Sequence, residues 1–177
     1  MDERVLESRR VYDGRILNLR VDRVALTDGH EARREIVEHD HAVAVVPVTD
    51  RGEIVMVRQY RLPAEALLLE VPAGMIDPGE DPEAAAQREL REETGYAATR
   101  LRRLCGFWVA PGYCTEYIHV YLAEGLHESR LDHNDDERIE VETVTLSDAL
   151  HLIDTGSIED AKSICGLLQY ARIAEGG

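Results

Sequence analysis

The sequence predicts an α/β fold, of the type also described as α+β, and three observations support it. Residues 1–40 alternate polar and apolar side chains around an Asp28-Gly29 turn signal, which indicates an antiparallel β segment. Apolar, β-branched runs at 42–48 and 54–60 predict two central strands. A helix-forming stretch follows near the middle of the chain. We therefore expect an N-terminal β segment over 1–40 and one main domain over 41–177.

The central helix is marked at both ends. Asp81 offers a side-chain acceptor at the N-cap, and Pro82 occupies the first helical position, where a missing N–H is tolerated. Residues 83–94 are rich in Ala, Glu, Arg and Leu, and Gly95 supplies a C-terminal stop. The sequence therefore predicts a helix that ends at Thr94.

The second half of the chain predicts further strands and then two helices. Ser147 is the expected cap of the first of these helices, and Thr155-Gly156 its end. The last helix carries a predicted apolar stripe of Ile164, Leu167, Leu168 and Ala171. The strands are expected at 101–109, at 117–123 and from 139.

Composition narrows the classes of function. The formal net charge is −15 over 177 residues, which argues against nonspecific binding to nucleic acid or to an anionic membrane. Three cysteines without a CxxC pair favour a reduced, cytoplasmic protein. We find no apolar leader and no 18-residue apolar run, so neither a secretion signal nor a membrane span is expected.

The predicted helix carries a cluster of carboxylates. Glu89, Glu92 and Glu93 are spaced i, i+3 and i+4, so they share one face and repel one another unless a cation lies between them. Carboxylates this close suit hard divalent cations such as Mg²⁺ or Mn²⁺. Taken alone, the trio is also compatible with a solvated acidic surface, which is what most such clusters are.

The wider pattern favours the metal hypothesis. The stretch 74–96, GMIDPGEDPEAAAQRELREETGY, resembles the Nudix box at each of its defining positions. That resemblance implies a loop–helix–loop within an α/β/α sandwich with a mixed central sheet. It also implies hydrolysis of a nucleoside diphosphate linked to another group, with the help of a divalent metal.

The resemblance assigns a metal-binding role to four residues. Glu89 and Glu93 are implied metal ligands, Glu92 a ligand or a group that orients water, and the backbone carbonyl of Ala73 a further ligand.

Other box residues have implied supporting roles. Arg88 is expected to orient the catalytic glutamates, and Glu80 to support the loop before the helix. Gly74 and Gly79 are expected at backbone turns that other residues resist.

Motifs outside the box resemble the ADP-ribose pyrophosphatase branch of the family. They are residues 34–39 (REIVEH), 59–61 (QYR), 70–74 (EVPAG), and Pro111 with Gly112 and Glu116. The branch implies homodimers in which the N-terminal strands complete the partner's adenosine site. It also implies substrate contacts from Arg34, Arg61, Pro111 and Gly112.

The acidic loop 131–138 is the implied mobile catalytic loop. Asp135 stands where many relatives carry glutamate, which leaves Glu137 the stronger candidate for catalysis and the identity of the base open.

The predicted reaction is metal-dependent hydrolysis of ADP-ribose to AMP and ribose 5-phosphate. Bound Mg²⁺ or Mn²⁺ and local arginines would offset the repulsion between an acidic protein and a diphosphate. Two alternatives stay open: hydrolysis of another nucleoside diphosphate sugar such as GDP-mannose, or a non-catalytic Nudix-fold binding module. The intact box argues against the second alternative.

Overall fold

The computed structural model describes residues 2–131, 138–174 and 176. No helix in these ranges is long and apolar enough to cross a membrane. The strands are β1 Arg4–Asp13, β2 Leu17–Ala25, β3 Glu31–His39, β4 Ala42–Pro47, β5 Glu53–Arg61, β6 Ala66–Glu70, β7 Ala73–Met75, β8 Tyr96–Trp108, β9 Tyr117–Glu128 and β10 Glu140–Thr145. The helices are α1 Pro82–Thr94, α2 Leu146–Asp154 and α3 Ala161–Ala174, with a short 3-10 helix at Leu62–Ala64.

The chain divides into two compact units. The first contains the residues up to His41 together with 107–118, and the second contains 42–106 together with the residues from 119 onward. The N-terminal unit thus includes a segment from the middle of the chain, which consists of the connection between the long strands β8 and β9 and the adjoining ends of both.

The N-terminal unit is built on the antiparallel sheet β1-β2-β3. The β2–β3 turn closes where Asp28-Gly29 predicted it, and Gly29 adopts a φ of 87°, which suits a residue without a side chain. The segment 110–114 forms a turn that lies against β3. There the Val37 amide donates to the Tyr113 carbonyl over 2.7 Å, and the Thr115 amide donates to the Val37 carbonyl over 3.0 Å.

The second unit contains the main core. Strand β4, which the sequence predicted to be central, is buried along its whole length. It lies inside the sheet of order β7-β4-β9-β8, while β5 is the middle strand of β10-β5-β6. These mixed and antiparallel sheets confirm the predicted fold class. Helix α1 packs its Ala85, Ala86 and Leu90 side chains into a cluster with β4, β8 and β9 residues.

The two C-terminal helices differ in detail from the prediction. Helix α2 is capped by Thr145, not Ser147: the Thr145 hydroxyl accepts from the Asp148 amide at 3.1 Å and donates to its carboxylate at 2.7 Å. Thr145 and Ser147, two positions apart, carry the same capping signal, and the end of β10 selects the earlier one. In α3, Leu168 is 45% exposed, because the buried face runs instead through Ser163, Gly166, Leu167 and Ala171.

Candidate active site

Helix α1 forms with the predicted ends. Asp81 accepts from the Glu83 amide at 3.0 Å, and Gly95 ends the helix at a φ of 77° while its amide donates to the Arg91 carbonyl. With the alanine and leucine face buried, the edge that carries Glu89 and Glu92 faces the loop 75–80 through Arg88.

Arg88 is the cation among the carboxylates. Its Nε and Nη2 donate to the two oxygens of Glu80 at 3.0 and 2.9 Å. Its Nη1 donates to Glu89 at 2.6 Å and to Glu92 at 3.1 Å, and Nη2 also reaches the Met75 carbonyl at 2.9 Å. The hydrogen bond to Glu80, more than any other interaction, raises the pKa of Arg88 above its ordinary value. The guanidinium of Arg88, itself a box residue, therefore offsets the repulsion expected among these carboxylates.

Glu80 ties the preceding loop to the helix. Its carboxylate accepts from the Asp77 amide at 3.1 Å, and its own amide donates to the Asp77 carbonyl at 2.9 Å. The Arg88 guanidinium holds the pKa of the Glu80 carboxyl below its usual value, chiefly through their hydrogen bond. Gly79 adopts a φ of 84°, as its predicted place at a turn requires.

Gly74 does not form the backbone turn that the sequence predicted. It lies in β7, and its φ is not in the left-handed region. A Cβ at this position would lie 2.1 Å from the Cδ and the Oε1 of Glu89. The missing side chain therefore makes room for the Glu89 carboxylate, which lies directly against the β7 backbone.

Glu93 lies against the same strand. Its carboxylate accepts from the Ala73 amide at 3.0 Å, and the residue is only 6% exposed. The two outer glutamates of the trio thus flank the backbone at Ala73 and Gly74. The carbonyl of Ala73 belongs to the same short strand.

The donor set fits a divalent metal by its chemistry. It consists of the carboxylates of Glu89, Glu92 and Glu93 on one edge of α1 and the nearby backbone carbonyl of Ala73. Oxygen ligands of this kind suit hard cations. Within the described ranges, no three Asp, Glu, His or Cys side chains converge on a ready-made cation site. Arg88 holds two of the carboxylates, and the third is bonded to a backbone amide.

A second ion-pair group lies before the box. Glu70 is 1% exposed, and its two oxygens accept from Nε and Nη2 of Arg61, each at 2.8 Å, while the Lys162 ammonium lies 2.5 Å from Oε2. Burial by itself would raise the pKa of Glu70, but the Arg61 and Lys162 interactions together lower it. The pKa of Arg61 is raised chiefly by the hydrogen bond to Glu70, and the nearby charge of Glu93 contributes. Among the box carboxylates, Glu93 is thus the one whose charge acts on Arg61.

Sequence reasoning assigned no role to Glu70 or Lys162, although two signals were present. Glu70 is a charged residue at the end of the apolar run 66–71, and a buried carboxylate requires a partner. Lys162 is the only lysine among the 20 basic residues.

The predicted substrate residues of the N-terminal unit have partners of their own. Arg34 donates from Nε and Nη2 to the Glu3 carboxylate at 3.0 and 2.5 Å, and from Nη1 to the Arg33 carbonyl at 3.0 Å. Pro111 and Gly112 lie in the turn 110–114 that contacts β3. Glu137 and Asp135 lie outside the described residues.

Two family models match the chain. A NUDIX domain matches residues 38–167, and a nucleoside diphosphate sugar hydrolase N-terminal domain matches residues 3–37. A crystal structure of an ADP compounds hydrolase superposes with a TM-score of 0.90 at 24% identity, covering 99% of this chain and 96% of that one. This likeness supports the fold.

Three relatives illustrate the range of names among similar proteins. An ADP-ribose pyrophosphatase of Bacillus subtilis is 42% identical, covering 99% of this chain and 95% of its own. A methanol dehydrogenase activator of Bacillus methanolicus is 40% identical, with coverages of 98% and 95%. A GDP-mannose pyrophosphatase of Yersinia pestis is 33% identical, with coverages of 79% and 75%.

Proposed function

The chain belongs to the Nudix family and is a hydrolase of that family, and from this premise we propose that it cleaves the pyrophosphate bond of ADP-ribose. The products would be AMP and ribose 5-phosphate. The observation that carries the proposal is the arrangement of the box, in which Arg88 binds Glu80, Glu89 and Glu92 through its guanidinium. The similarity to an ADP-ribose pyrophosphatase over nearly the full chain supports the choice of substrate.

Family members generally need a divalent metal, and we propose Mg²⁺ or Mn²⁺ for this chain. Glu89, Glu92, Glu93 and the Ala73 carbonyl would hold it. When bound, the metal would neutralise the diphosphate and lower the pKa of an attacking water.

The chain's own residues have separate tasks in the proposed reaction. Arg88 orients the carboxylates of Glu89 and Glu92, and Glu80 holds the Arg88 guanidinium in place. A carboxylate, Glu92 or Glu137, takes the proton of the water that attacks one phosphorus in line.

Arg61 is the proposed contact to the diphosphate. Two of its nitrogens are held by Glu70, and within the described residues Nη1 has no hydrogen-bond partner. Since the side chain is 40% exposed, Nη1 is available to an anionic ligand. Arg34, with Pro111 and Gly112, is proposed to contact the rest of the substrate, and Arg34 would exchange Glu3 for it.

We further propose a homodimer formed through the N-terminal unit. Strands β1 and β2 and the turn between them expose several large apolar side chains, each at least 38% accessible in the single chain, and a second copy would cover them. They are Val5, Val11, Tyr12, Ile16 and Leu17. The free state of Cys105, Cys114 and Cys165 supports a cytoplasmic location.

A GDP-mannose pyrophosphatase is the second candidate function, favoured by the relative of that name. A hydrolysis screen decides between the two. ADP-ribose, GDP-mannose, a diadenosine polyphosphate and nucleoside triphosphates would be compared with Mg²⁺ and with Mn²⁺. We expect the highest kcat/KM for ADP-ribose, and Glu93→Gln protein purified in parallel controls for contaminating hydrolases. A clearly higher efficiency with another substrate would contradict the proposed substrate and leave the box chemistry in place.

A further inference from the structure

The lone lysine of the chain lies in a nearly buried position. Lys162 is in the first turn of α3 with its side chain 12% exposed, 2.5 Å from Glu70 and 2.9 Å from Asp160. Each of the other basic residues is an arginine. An ammonium is costly to bury unless it is paired, so this position has a specific electrostatic role.

Glu70 is shared between two cations that come from different elements. Arg61 approaches it from the end of β5 and Lys162 from α3. With Lys162 also bound, the Glu70 carboxylate is held from two directions, while Asp160, 2.9 Å from the ammonium, balances the charge of the lysine. Glu70 in turn fixes the Nε and Nη2 edge of the Arg61 guanidinium.

The same turn of α3 also anchors the backbone that leads into the box. The Val71 amide donates to the Ser163 hydroxyl at 2.8 Å, and that hydroxyl donates to Asp160 at 2.5 Å. Val71 comes two residues before Ala73. The start of α3 therefore holds both the Glu70 side chain and the backbone of Val71, two residues before β7.

We propose that Lys162 is a positioning residue for substrate binding, which holds Glu70 so that the Arg61 guanidinium keeps its orientation toward the diphosphate. This role rests on the proposed function, in which Arg61 contacts the substrate. A compact ammonium suits the position, because Glu70 already receives a planar guanidinium fork along its other edge.

The first test is Lys162→Met, which keeps the length of the side chain and removes its charge. We expect KM for ADP-ribose to rise on the order of 10-fold while kcat stays within about 3-fold, because ground-state binding is what is lost. Arg58→Met is the matched control. Arg58 lies on the same strand as Arg61 and pairs with Glu142, so its loss changes the net charge equally and should leave KM unchanged.

A double-mutant cycle separates positioning from general structure. In an Arg61→Ala background, Lys162→Met should change KM by less than about 2-fold, because the residue through which it acts is gone. An equal factor in both backgrounds would overturn the proposal, as would an unchanged KM in the single variant.

Stability is measured alongside, since removing one partner of a buried ion pair can unfold a protein. Lys162→Gln keeps a hydrogen-bond donor and serves if the methionine variant does not fold. If both neutral variants unfold, Lys162 is a stability residue and the positioning role is wrong. The cycle uses the best substrate of the screen. If that substrate is not ADP-ribose, only the proposed function is rejected. If Lys162→Met changes KM equally with and without Arg61, only the role of Lys162 is rejected.

Discussion

Arg88 and Glu80 form a bidentate pair that joins helix α1 to the loop before it, with Nε–Oε1 and Nη2–Oε2 distances of 3.0 and 2.9 Å. The remaining nitrogen of the same guanidinium reaches Glu89 and Glu92. The planar guanidinium of Arg88 thus fixes the loop and orients two carboxylates at the same time. An ammonium cannot reproduce this geometry.

Arg88→Lys should therefore lower kcat by about 10- to 100-fold, since the retained charge cannot orient all three glutamates. Steady-state kinetics with the best substrate of the screen measures the effect. Arg91→Lys is the matched control, because Arg91 binds Ser129 instead of a box carboxylate. Turnover like that of the wild type in Arg88→Lys would show that the fork has no part in catalysis.

Gly74→Ala should separate activity from stability. The new Cβ would require the Glu89 carboxylate to move, and that end of the side chain is flexible, so we expect a small change in Tm and a loss of turnover on the order of 100-fold. Gly166→Ala should show the opposite pattern. Its Cβ would meet Val46 Cγ2 at 2.9 Å in the core, which should cost about 1–3 kcal/mol of stability. Full activity in Gly74→Ala would contradict the position given to Glu89.

Metal removal should abolish hydrolysis. We expect no turnover in the presence of a chelator and recovery with added Mg²⁺ or Mn²⁺. Glu93→Gln keeps the shape of the side chain and should lower kcat by about 100-fold or more, because it removes a charge from the proposed metal site. Glu83→Gln, at an exposed position in the first turn of the same helix, is the control. Chelator-resistant activity would reject the metal proposal.

The Arg88–Glu80 pair also predicts a pH dependence of stability. The pKa of Glu80 is lowered in the folded protein from its ordinary value of 4.5, chiefly by the hydrogen bond from Arg88. The pair therefore stabilises the fold above the unfolded pKa, and this contribution is lost as the pH falls through the folded value. The Tm difference between wild type and Glu80→Gln should be largest near neutral pH and should shrink in acid. A difference that does not depend on pH would disprove this linkage.

The proposed dimer is best tested by substitution. Deleting residues 1–40 would also remove the packing partners of 107–118, because both segments belong to one unit. We expect the double variant Val11→Asp, Tyr12→Asp to shift the mass from dimer to monomer in light scattering and to weaken substrate binding. Both side chains are more than half exposed in the single chain, so its fold should survive. A dimer of unchanged mass and affinity would exclude this surface as the interface.

Local interactions were readable from the sequence alone. Asp81, Pro82 and Gly95 act on backbone groups within one turn of themselves, so the limits of α1 followed from residue types. The spacing of Glu89, Glu92 and Glu93 placed them on one helix edge for the same reason. The family, the fold class and the need for a cation among the carboxylates all rest on such short-range patterns.

The tertiary structure decided what depends on residues distant in sequence. Glu70 and Lys162 are 92 positions apart, and only the packing of α3 brings them together. Gly74 contains no signal that a carboxylate fifteen positions later will occupy its empty side-chain space. The segment 107–118 joins the N-terminal unit because its backbone pairs with β3. Chain folding creates each of these contacts, and a linear pattern records only the residue types that permit them.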